Sequence, residues 1–124
     1  MEDREFIRTV AERSGLSREE AADLTRATMA ALAERLSAGE TRHLARRLPD
    51  GLTESLGSGT RAAKKFGLDE FIRRVSAHTG LTVQEATDGV RAVLTTLHQA
   101  LGDEQFDHVL AQLPGEFRDL AEVV

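Results

Sequence analysis

The sequence predicts an all-α protein: an internally duplicated helical bundle in which two copies of a three- to four-helix unit pack with pseudo-twofold symmetry. Three observations lead there. Residues 5–52 align with residues 70–117 without a gap, so that Glu5-Phe6-Ile7-Arg8 recurs as Glu70-Phe71-Ile72-Arg73, Gly15-Leu16 as Gly80-Leu81 and Leu48-Pro49 as Leu113-Pro114. Roughly one aligned position in three is identical, which sets the architecture before any propensity is consulted. Apolar residues recur at helical spacing, and no segment alternates as a strand does. Helix caps and stops fall at matching places in both copies.

The chain has 124 residues, 40% of them hydrophobic and 30% charged, the balance of one globular domain with a real core. The expected organisation is a single helical domain over 1–124: a first copy at 5–56, a linker at 57–68 and a second copy at 69–122. A unit of about 50 residues is small for independent stability. The two copies are therefore expected to share a core, giving six to eight helices in one bundle.

Each element has a local cause. In the first helix Phe6, Ile7, Val10 and Ala11 lie one turn apart, and Ser14-Gly15 ends it, because glycine accepts the left-handed conformation of a C-terminal cap. Ser17 with Glu20 forms a capping box for a second helix running to about Leu36, with Ala21, Leu24, Thr28, Leu32 and Leu36 on its apolar face. Ser37 with Glu40 offers another capping box and opens a third helix toward Leu48. Pro49 stops it for want of an amide hydrogen, and a short fourth helix is expected from about Asp50 to Leu56. In the second copy Gly80 ends the first helix and Thr82 with Glu85 caps the next. Val90, Val93, Leu94, Leu97 and Leu101 line that long helix, Gly102-Asp103 turns the chain, and Pro114 stops it. Phe6 and Phe71 are expected to anchor the first helix of each copy on the long one. Between the copies, Gly57-Ser58-Gly59 reads as a flexible linker, and Ala62-Ala63-Lys64-Lys65 as its end or as an extension of the next helix.

Composition excludes several function classes. The net charge of −5 argues against broad nucleic-acid binding, which needs clustered cation excess. There is no cysteine, hence no disulfide, thiol nucleophile or cysteine metal site. The acidic start Met1-Glu2-Asp3-Arg4 carries no secretory pattern, and no stretch approaches the apolar length of a membrane span, so a cytoplasmic protein is expected. Lys64 and Lys65 are the sole lysines against abundant arginine and alanine, as in a GC-rich bacterial genome.

With these residues assembled, the chain resembles domain-of-unknown-function family 2267, small bacterial and archaeal proteins. The resemblance is carried by Glu5-Phe6-Ile7, Gly15-Leu16, Glu20-Ala21, Arg26-Ala27, Leu32 and the run His43-Leu44-Ala45-Arg46-Arg47-Leu48-Pro49, with His108 to Pro114 as its partner. The family's Gln-Leu-Pro ending matches Gln112-Leu113-Pro114, whereas the first copy has Arg47 in place of the glutamine. The resemblance implies the fold and no reaction, and fold alone does not carry function.

Catalytic constellations are missing: there is no nucleophile elbow, P-loop or dinucleotide fingerprint, and the serines sit at caps and turns. No enzyme and no cofactor are expected. Acidic residues cluster at helix starts, where the helix dipole favours them. Asp23 with Arg26 and Asp88 with Arg91 have the spacing of intrahelical ion pairs, exposed or buried between the copies. His43 and His108 occupy aligned positions and would approach one another across a pseudo-twofold axis. They read either as a metal, small-ligand or proton-relay pair, or as caps on the Leu-Pro helix ends. His78 and His98 have no such match and read as surface residues.

The copies differ most in their third helices. Phe106, Val109, Leu110 and Leu113 of the second align with Thr41, Leu44, Ala45 and Leu48 of the first, while Arg42, Arg46 and Arg47 replace Asp107, Ala111 and Gln112. Arg42, His43, Arg46 and Arg47 thus form a basic stripe on an acidic protein, with Arg61, Lys64 and Lys65 as a second basic run behind it. The leading expectation is a non-catalytic helical module that docks an acidic protein partner through this stripe. A ligand or metal site at His43/His108 and weak nucleic-acid binding through the stripe and linker are the alternatives. Self-association through the alanine-rich face of the long helix (Ala21, Ala22, Ala27, Ala30, Ala31, Ala33) is a further expectation, although alanine is also simply the best helix former.

Overall fold

The helices of the computed structural model, which describes residues 1–57 and 63–122, begin and end at local signals. α1 (Asp3–Ser14) closes at Gly15, whose φ of 77° is left-handed and whose N–H donates to the Ala11 carbonyl at 2.9 Å. α5 (Leu68–Thr79) closes at Gly80 in the same way, with φ 76°. α2 (Arg18–Arg35) opens on a full capping box: Ser17 Oγ accepts from the Glu20 N–H at 3.1 Å, and the Glu20 carboxylate accepts from the Ser17 N–H at 3.0 Å. Thr82 and Glu85 do the same for α6 (Val83–Leu101). α3 (Ala38–Arg47) leads through Pro49 into α4 (Asp50–Thr53) and a 3-10 turn at Glu54–Leu56. α7 (Asp103–Ala111) leads through Pro114 into α8 (Gly115–Ala121). Each proline therefore ends one helix and begins another: Pro49 O accepts from the Leu52 N–H at 2.9 Å, and Pro114 O from the Phe117 N–H at 3.0 Å. Among the described residues these eight α-helices and the 3-10 turn are the regular structure, and no strand occurs.

One local expectation is corrected, and one of two open readings of the linker's end falls away. Ser37 Oγ does accept from the Glu40 N–H at 3.1 Å, but the reciprocal half of the capping box is absent. The Ser37 N–H donates instead to Gln112 Oε1 at 2.9 Å, and the Glu40 carboxylate accepts from Gln105 Nε2 at 3.1 Å. Long-range partners have replaced the local one. Nor does the run before α5 extend that helix: residues 63–67 are non-helical. The Lys64 N–H is given to the Glu34 carbonyl at 2.8 Å, one of the last carbonyls of α2, which no helical N–H can reach. Arg35 Nε then donates to Phe66 O at 2.9 Å, and the Arg74 guanidinium lies 3.9 Å above the Phe66 ring. The predicted linker residues 58–62 lie outside the described residues.

One continuous apolar core takes residues from both halves of the chain. α1 packs against α2 and α6, α5 packs against α6 and α2, and α2 also crosses α6. Phe6, Val10, Leu24, Leu32, Phe71, Val75, Val90 and Leu97 are fully buried. Ala21, Ala27 and Ala31 are buried as well, which places that part of the alanine-rich face against the protein's own helices. At the crossing of α2 and α6 a Cβ added to Gly89 would overlap Cδ1, Cδ2 and Cγ of Leu24, so the missing side chain is what admits the leucine. Phe71 stacks on Phe66 with centroids 6.3 Å apart and meets Phe117 edge-on at 5.1 Å. That contact ties α8 to α5, and Glu116 completes the tie by accepting from the Leu68 N–H at 2.8 Å.

Thr41 is a poor fit in this core. It is 1% exposed, and its Oγ1 has no hydrogen-bond partner among the described residues. A buried hydroxyl without a partner costs on the order of 1–3 kcal/mol. Thr41→Val removes the hydroxyl at nearly constant shape and is expected to raise stability by about 1 kcal/mol in urea unfolding. A destabilised variant would show that the hydroxyl has a bonding role.

Candidate functional site

α3 carries the predicted basic residues, and its pitch decides where they go. At about 100° per residue, Arg42 and Arg46 share one side, while His43 and Arg47 share another. All four are exposed. The second side faces α7: His43, Arg47, Leu101, Asp103, Glu104 and His108 line an open groove of about 360 Å³, together with Gly102 and Gln105. Arg47 Nη2 donates to the Leu101 carbonyl at 3.3 Å. That carbonyl belongs to the last turn of α6, where the helix dipole favours a cation. The single stripe read from the sequence is therefore two surfaces, an outward Arg42/Arg46 side and a groove side holding His43 and Arg47. Arg42 engages a further partner of its own.

The second basic run is also divided. Lys64 Nζ is paired with Glu34 Oε2 at 3.3 Å, in a cluster where Arg74 Nη1 reaches the same oxygen at 2.8 Å. Lys65 is exposed. Arg61 lies outside the described residues.

The two aligned histidines, His43 and His108, border the same groove from α3 and α7. Gln105 to Glu40 and Ser37 to Gln112 brace α3 against α7, and Arg47 to Leu101 braces α3 against the end of α6. Among the described residues no group of three or more His, Cys, Asp or Glu is placed to hold a metal ion. The remaining histidines differ from one another. His78 is exposed in the last turn of α5. His98 stacks on Phe106 at 4.6 Å with the rings 9° apart, and its Nε2 is 2.6 Å from Asp103 Oδ1. It thus clamps α6 to α7 around the Gly102 turn, a role that the spacing of His98, Gly102 and Asp103 could have revealed. The two matched ion pairs form on the surface, Arg26–Asp23 at 3.3 Å and Arg91–Asp88 at 3.5 Å. Exposed pairs of this kind contribute at most about 1 kcal/mol.

These features define a class: a small all-α bundle, its core drawn from the whole chain, with charged surfaces and a polar groove between two short helices. Among the described residues no helix is long and apolar enough to cross a membrane. The family model described as "uncharacterized conserved protein (DUF2267)" matches residues 3–120, nearly the full length. The chain belongs to that family. No curated protein matches it.

Proposed function

We propose that this protein is a non-catalytic, cytoplasmic helical interaction module that docks an acidic protein partner through α3. The observation that carries this reading is the exposure of Arg42, His43, Arg46 and Arg47 on one short helix of a chain whose net charge is −5. Cations concentrated on one helix of a protein with net negative charge steer an acidic partner and fix its register.

The same reading takes the two halves as copies packed about a pseudo-twofold axis. Its support is the set of aligned positions that meet: Gly89 admits Leu24, Gln105 bonds to Glu40, and His108 shares a groove with His43. In each pair the two numbers differ by the offset of the sequence alignment. Contact between equivalent positions is what a twofold relation produces.

The test is affinity capture from native lysate with wild type and with Arg42/Arg46/Arg47→Ala. Charge-assisted hydrogen bonds contribute about 1.5–3 kcal/mol each, so an acidic partner held by this helix should be recovered at least about tenfold less well by the triple variant. Identical recovered partners would remove the docking role of α3. Nucleic acid in place of protein in the wild-type capture would favour the nucleic-acid alternative.

The shared groove of His43 and His108 favours one other reading, a small-ligand site at the seam between the halves. Zinc titration followed by the imidazole NMR signals tests its metal form. Movement of both signals with His78 unmoved would support it, and no movement would end it.

A further inference from the structure

We infer that a second groove, between the end of α1 and the middle of α6, binds a small oxyanion (a carboxylate or a phosphate) through Arg13 and Arg91. The groove measures about 480 Å³ and is lined by Arg13, Ser14, Asp88, Arg91, Ala92 and Thr95. That volume suits a small metabolite, for which sites run from about 300 to 1,000 Å³.

Arg13 carries the argument. Its Nη1 donates to Thr96 Oγ1 at 3.1 Å and to Thr95 Oγ1 at 3.5 Å, and its Nη2 donates to Gln99 Oε1 at 2.7 Å. All three acceptors are neutral. Among the described residues Arg13 has no carboxylate within ion-pair distance; Arg35 and Arg47 also lack one, but they donate to backbone carbonyls, whereas Arg13 is held by side chains on a groove wall. The hydroxyls and the amide order the guanidinium without cancelling its charge, and its Nε–H remains available. A guanidinium ordered before the ligand arrives avoids much of the entropy loss of binding, and its planar fork matches a carboxylate or phosphate edge.

Arg91 supplies a second cation on the groove wall. Its own contacts are long, 3.5 Å to Asp88 Oδ1 and 3.4 Å to the Leu120 carbonyl, so a closer ligand oxygen would compete well for it. Asp88 is the opposing charge, and Gln84 Nε2 also donates to its Oδ1, at 3.1 Å. Two guanidiniums against the one carboxylate of the lining, which pairs with Arg91 alone, leave the groove cationic. The aligned half lacks this cradle: His78, Ala30, Ala31 and Glu34 stand where Arg13, Thr95, Thr96 and Gln99 would be, and Glu34 is already paired with Arg74 and Lys64. The site is separate from α3 and does not depend on the docking role proposed for it.

NMR titration of the full chain with inorganic phosphate, and separately with succinate, tests the site. The expected result is saturable movement of the Arg13 and Arg91 Nε–Hε signals and of the Ser14, Ala92 and Thr95 amides. Arg13→Gln should weaken binding about tenfold or more, the scale of one charge-assisted contact, while Arg46→Ala leaves it unchanged. Saturation by phosphate alone, by succinate alone or by both identifies the ligand class within the same oxyanion chemistry. Linear, unsaturating shifts, or shifts equally large at Arg26 and Arg73, would overturn the site. Should Arg13→Gln fail to fold by circular dichroism, Arg91→Gln is read in its place, and wild-type binding by either folded variant overturns the proposal.

Discussion

Phe71→Ala is expected to lose about 3–5 kcal/mol of stability, the range for emptying a fully buried aromatic site. Phe71 is 0% exposed and stands between Phe66 and Phe117, so the cavity would open where α5, α8 and the segment entering α5 meet. In a chain of this size that loss corresponds to a fall of about 10 °C or more in melting temperature. An unchanged melting temperature would contradict the burial. Phe6→Ala, at the aligned position, makes a useful comparison. Phe6 is equally buried, yet it has no aromatic neighbour among the described residues. Aromatic pairs add about 0.5–1.5 kcal/mol each beyond burial, so Phe71→Ala should be the more damaging of the two.

Exchanging Leu24 and Gly89 is expected to be far milder than either change alone. Gly89→Leu forces a second side chain into space that Leu24 fills and should cost about 1–3 kcal/mol, with little room for relaxation in a closed core. Leu24→Gly empties a fully buried position, costing about 2–5 kcal/mol for the lost packing and roughly 1 kcal/mol more for glycine within a helix. The double variant Leu24→Gly/Gly89→Leu restores volume and helix propensity together. Denaturant unfolding of the four proteins gives the coupling as a double-mutant cycle. We expect the exchange to recover most of the summed loss. Additive losses would mean that the two positions do not share space, and the pseudo-twofold reading would lose its strongest support.

The helix ends were legible from sequence because caps act over three or four residues. Ser17 with Glu20, Thr82 with Glu85, Gly15 and Gly80 all behave as their spacing predicts. Ser37 with Glu40 has the same spacing and departs from it, because Gln112 and Gln105 arrive from the other half of the chain and take over the two polar groups. No local pattern announces that competition. The basic residues of α3 were equally legible as a charged helix, but the turn of Arg47 onto the end of α6 was not. No local pattern marks Arg13, because its partners Thr95, Thr96 and Gln99 lie more than 80 positions away.

What the sequence by itself determined is the all-helical class, the helix boundaries set by glycine, proline and capping boxes, and the buried face of each long helix. These follow from backbone geometry and helical period, which a stretch of a few residues specifies. The tertiary structure alone decided which polar groups meet: His43 and His108 on one groove, Arg13 among neutral oxygens, Leu24 against Gly89. Those meetings depend on how the helices cross and on which rotamers the crossing admits, and spacing along a single helix carries no information about either.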